Sequence, residues 1–163
     1  MHRTPLLIVL ALGFWSALAC AGQTTSTAIP EALRTHVSGE QFQIVTSIRG
    51  LPLGVRDELQ SMWGTPTLDI ADPGDEYQST GAPGTPTRPT RRLIAAGCSA
   101  DHHCLVYYER GGPARTWLAA LFHWTPDATR FEWGGMAPAG LQSVEDVRKA
   151  MLAGVIRPAN GRW

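Results

Sequence analysis

Four runs rich in β-forming residues, Arg92–Cys98, Cys104–Arg110, Thr116–Trp124 and Thr129–Trp133, follow one another with only short turns between them. The turns are Ser99-Ala100-Asp101-His102-His103, Gly111-Gly112-Pro113-Ala114 and Thr125-Pro126-Asp127-Ala128. Connections this short join adjacent antiparallel strands, because a parallel crossover takes about a dozen residues or more. The C-terminal half is thereby committed to a meander. A further strand is expected at Gln41–Ile48, where Phe42, Ile44 and Ile48 keep a spacing of two with Thr46 between them.

Two helices complete the expectation. Val55, Leu59, Met62 and Trp63 share one face of Leu53–Trp63, opposite Arg56, Asp57 and Gln60, and Gly64 stops the helix. Ser143 with Asp146 three residues on reads as a capping box, followed by Val144, Val147 and Met151 on one face up to Gly154. Leu68 and Ile70 suggest a short strand halted at Asp72-Pro73-Gly74-Asp75. The fold class is α+β: an antiparallel β-meander of about four to five strands packed on one face by two helices.

Composition excludes several alternatives. Charged residues make up 17% of the chain and hydrophobic ones 44%, a balance that supports a packed core and not disorder. Fourteen basic and fourteen acidic side chains cancel, so no excess of cations invites nucleic acid. Residues 77–90, YQSTGAPGTPTRPT, carry three prolines and two glycines and read as a mobile loop inside a single domain spanning 41–157. Residues 158–163 read as a tail.

The N-terminus reads as an address. Arg3 precedes the apolar run Leu6–Trp15, and the small residues Ser16-Ala17-Leu18-Ala19-Cys20-Ala21 follow, the pattern of a secretory signal peptide over residues 1–19. A run of that length is short of the roughly 20 apolar residues that span a bilayer. Ala19-Cys20-Ala21 fits cleavage after Ala21 and release of a soluble protein. Ser16-Ala17-Leu18-Ala19-Cys20 resembles the lipobox of bacterial lipoproteins, which implies a lipid on Cys20 and membrane contact through it. Ala21 then resembles the outer-membrane sorting signal of such proteins. Either route leaves the other two of three cysteines to pair. Residues 20–40, polar and Thr/Ser/Ala-rich, read as a flexible tether, with a turn of helix after Pro30.

Cys98 and Cys104 flank a tight turn in an exported chain, and opposed antiparallel positions lie about 4.5–5.5 Å apart, within disulfide reach. A metal site from Cys98, His102, His103 and Cys104 is the weaker alternative, since adjacent strand residues face opposite ways and zinc-ligand spacing is missing. With Cys98 opposite Cys104, a trial register places Tyr107, Leu118 and Phe122 on an apolar face for the helices. Tyr108 and Trp117 then lie side by side on the other, partly exposed face. That aromatic row is expected either to be packed over or to serve as a binding platform.

No pattern assigns catalysis. Asp69, Asp72, Asp75 and Glu76 fail a calcium-loop template, because Ala71, Pro73 and Thr80 fall on ligand positions. Arg88, Arg91 and Arg92 form a small basic cluster of the kind that stays solvated. The chain contains no G-x-S-x-G, H-E-x-x-H, P-loop or G-x-G-x-x-G pattern. The expectation is an exported bacterial envelope protein, periplasmic and lipid-anchored at the outer membrane, that works without a cofactor as a binding, inhibitor or envelope-support module. Its partner would be another envelope protein or a cell-wall glycan. The alternative is an exported hydrolase or metal-dependent enzyme using the Cys98–Cys104 turn.

Overall fold

Six strands form one antiparallel sheet whose spatial order is the order of the chain: β1 (Phe42–Val45), β2 (Arg91–Ser99), β3 (His103–Arg110), β4 (Thr116–Trp124), β5 (Thr129–Ala137) and β6 (Arg157–Pro158). Among the described residues three α-helices, α1 (Glu31–Gly39), α2 (Leu53–Trp63) and α3 (Val144–Leu152), pack against it. The computed structural model describes residues 29–81, 88–159, 161 and 163. The α+β meander is as expected, and the sheet is longer because the two-residue β6 pairs with the far end of β5. There Gly135 lets the strands close, since a Cβ on it would stand 1.9 Å from the Arg157 carbonyl oxygen.

The helices divide between the two faces, which corrects the expectation of one covered face. On one side α2 sets Val55 and Leu59 against Leu93, Val106, Tyr108, Leu118 and Phe122. On the other, α1 and α3 bring Val37, Val147 and Met151 onto Leu105, Tyr107, Ala119 and Leu121. The physical reason lies in the central strands. Leu105–Tyr108 and Leu118–Phe122 are unbroken apolar runs, and such runs have no polar side to leave in water.

Two bulges adjust the alternation. Leu93 pairs with Tyr108 and Ala95 with Tyr107, so Ile94 is the extra residue of β2. Leu121 pairs with Trp133 and Phe122 with Phe131, so Glu132 is the extra residue of β5. A bulge re-aims the side chain it carries.

The helix signals at α2 and α3 hold. Gly64 ends α2 in the left-handed conformation at φ 63°. The Ser143 side chain accepts from the Asp146 amide, completing a capping box. The polar stretch read as a tether instead contributes α1, with Ile29 and Val37 buried. Arg148 of α3 holds that helix by donating to the carbonyls of Val37 (2.7 Å) and Ser38 (2.9 Å). The expected strand at Leu68–Ile70 shrinks to one bridge between Ala71 and Arg92.

The margins of the Pro-rich loop are pinned. Tyr77 is buried beneath the Arg92 guanidinium, 4.7 Å from the ring centre, and the Gln78 amide donates to Pro89. Residues 82–87 of the loop, the leader and Cys20 lie outside the described residues. Of the residues read as a tail, Pro158 pairs in β6 and the Trp163 carbonyl accepts from Arg91 and Arg110. Among the described residues no helix is long and apolar enough to cross a membrane.

Candidate functional site

Tyr108 and Trp117 do not form a row. Arg110 pairs with Thr116, so Tyr108 lies opposite Leu118 and Trp117 opposite Glu109. The register is one residue off the expected one, and a slip of one exchanges the faces. Tyr108 is fully buried under α2, where its hydroxyl accepts from Trp63 Nε1 at 3.1 Å. Trp117 is half-buried against the opposite core.

The acidic and basic clusters are braces. Asp69 takes hydrogen bonds from the Thr90 amide and Arg91, and Asp72 takes one from the Ile48 amide. Arg88 pairs with Glu76, Arg91 with Asp69 and Arg92 with Glu109. Each cation of the cluster has a carboxylate beside it, so the patch carries little net charge.

Chemistry collects at the end of the sheet where β1 meets the β2–β3 and β4–β5 turns. Cys98 and Cys104, paired in the register, are joined by a disulfide with sulfurs 2.02 Å apart. That bond removes both thiols from metal binding. His102, at φ 67° and exposed, turns outward toward Trp124, with ring centres 5.5 Å apart. His103 faces the other way and is buried.

A network surrounds His103 on the α1 side. His36 and Glu40 stand one helical turn apart, and the His36 Nδ1–Glu40 Oε1 distance is 2.6 Å. His103 Nδ1 lies 2.8 Å from the same oxygen and 3.0 Å from Oε2. Ser99 donates its hydroxyl to Glu40 Oε2 and accepts from the His103 amide. Beyond the ring, the bulged Glu132 sets Oε2 at 3.8 Å from His103 Nε2. Its other oxygen, Oε1, accepts from Arg130. His123 sits beside His103, ring centres 5.3 Å apart, and partial burial followed by the charge of Arg130 holds its pKa below the usual imidazole value. This is not a nucleophile triad, because Ser99 addresses the carboxylate and not an imidazole. Sequence reasoning found only His103. His36 and Glu40 had one signal, an i,i+4 pair inside the segment read as a tether.

On the opposite face of this end lies an open groove of about 640 Å³ between β1, the chain leading into α2 and the β4–β5 turn. Ile44, Leu53, Trp124 and Pro126 line it, and none of its lining side chains is charged. Ile44 and Leu53 are 76% and 64% exposed, high for residues of that size. Among the described residues, β1 pairs with β2 along one edge and with no strand along the other.

No family model matches the chain, and neither the curated proteins nor the solved structures include a significant match.

Proposed function

We propose that the protein is an exported envelope binding module, anchored by a lipid on Cys20, that captures an extended apolar segment of another envelope protein along β1. The observation that carries this reading is the pairing of an unpartnered strand edge with an uncharged groove bordered by Ile44 and Leu53. A free edge presents backbone donors and acceptors to an added strand, and alternate side chains of that strand would enter the groove. A volume of this order is ordinary for a recognition cleft. The uncharged lining argues for an apolar segment over an acidic ligand or nucleic acid.

The test is selection from a random peptide library against the full chain. Peptides of alternating apolar pattern should be enriched, and Ile44→Lys should weaken them at least tenfold with the circular dichroism unchanged. Enrichment of no peptide, or equal binding by Ile44→Lys, would overturn the reading. Saccharide binding in the same groove would assign it to a cell-wall glycan instead.

A further inference from the structure

We propose that His36, Glu40 and His103 form a binding site for one zinc-like divalent cation. The inference is independent of the groove, which lies across the sheet.

The three donors come from two elements and converge. His36 and Glu40 come from the end of α1, His103 from the start of β3, and their ligand atoms all lie within 4.8 Å of one another. Two imidazole nitrogens and one carboxylate oxygen suit zinc and its neighbours over magnesium or calcium, which prefer all-oxygen shells. Ligand atoms around a tetrahedral ion with bonds of about 2.0–2.1 Å stand roughly 3.3 Å apart. The present Nδ1–Oε1 separations of 2.6 and 2.8 Å therefore need to open by roughly 0.5–0.7 Å, within reach of small side-chain rotations. His36 is half-exposed, so an ion has an entry path and a solvent-facing position besides its three protein ligands.

The surroundings supply the outer contacts such a site requires. Ser99 holds Glu40 by Oε2, leaving Oε1 toward the two imidazoles. A cation on Nδ1 of His103 puts the ring proton on Nε2, and there the structure sets a carboxylate. Glu132 Oε2 is buried in a side chain 10% exposed, accepts no hydrogen bond, and faces that nitrogen at 3.8 Å. A carboxylate behind a metal-binding histidine fixes its tautomer and raises its basicity. The β5 bulge is what aims Glu132 there. This accounts for an otherwise orphaned buried acceptor, whose desolvation would be a net cost.

The experiment uses the untagged full chain, stripped with a chelator and titrated with zinc by calorimetry and with cobalt by visible absorption. One ion per chain is expected, with micromolar or tighter affinity and the intense cobalt bands of a four-coordinate site. His36→Ala, a half-exposed position that the fold tolerates, should weaken binding at least tenfold. Glu132→Gln should weaken it about 10–100-fold. His102→Asn, which suits the left-handed backbone there, should change nothing. Failure to bind stoichiometrically overturns the site and leaves a buried imidazole–carboxylate brace. So does zinc affinity that survives His36→Ala or disappears with His102→Asn.

Discussion

Tyr107 and Tyr108 are neighbours in sequence with opposite surroundings and the same consequence. Tyr107 points under α3 and donates to the Pro138 carbonyl, and Tyr108 points under α2 and accepts from Trp63. Burial pushes both phenols up to about 12 and raises Tyr77 as well, with Glu109 adding to the effect on Tyr77. All three tyrosines of the chain are thus shifted the same way. A phenol whose folded pKa exceeds its unfolded value of 10.0 keeps its proton longer when folded. Stability is therefore unaffected below pH 10 and is lost as the pH climbs from there towards 12. A spectrophotometric tyrosinate titration should show Tyr107 and Tyr108 silent near pH 10 and rising late, coincident with loss of near-ultraviolet circular dichroism, with Tyr77 ionising above its ordinary value. A normal titration of Tyr107 or Tyr108 at pH 10 would contradict its placement.

Among the elements, the β2–β3 hairpin has the most to lose at its tip. The Cys98–Cys104 disulfide closes a loop of separation six, and a closure of this size contributes roughly 2–2.5 kcal/mol through the unfolded chain. Cys98→Ser with Cys104→Ser should lower the unfolding free energy by that amount and raise the m-value slightly, because the unfolded chain loses its cross-link. A loss near zero would mean that the turn holds itself. Cys98 also pairs with Gln43, so β1 should fray first in the variant, and amide exchange at Gln43 and Ile44 would report it.

The elements also separate what the chain discloses locally from what it does not. The four central strands, α2 with its Gly64 stop and α3 with its capping box were all readable, because turn residues, apolar periodicity and capping chemistry are local signals. α1 was legible only as a turn of helix after Pro30, because its Glu31–Gly39 segment is mostly polar and is held by Arg148 from beyond a hundred residues away. The one-residue slip between β3 and β4 hid the true partners of Tyr108 and Trp117, and continuous apolar runs offered no alternation to correct it. Glu132 was invisible as part of a site, because a bulge depends on the facing strand. The disulfide was legible since both cysteines border one turn.

At the scale of the whole molecule, the sheet is covered on both faces, and the uncharged groove at the β1 edge is left open. If Cys20 carries the proposed lipid, that edge lies near the membrane, because β1 follows Cys20 by only 21 intervening residues (21–41). Intact mass of the protein taken from its host envelope checks this reading: added acyl mass on Cys20, and no alkylation of Cys98 or Cys104 before reduction. A lipid-free chain starting at Gly22 would reassign the protein to the released pool, with the groove proposal untouched.

Strand order equal to chain order has a kinetic side. From β2 to β5 each pairing closes a turn of a few residues, so the sheet can zip from any of its hairpins with little loop entropy to overcome. α1 cannot join that zipper. Its partners are Arg148, 111 residues downstream of Val37, and His103, 63 downstream of Glu40. α1, the first of the described helices, is therefore the last to dock, and the knot of His36, Glu40 and His103 ties only once the rest of the described fold stands.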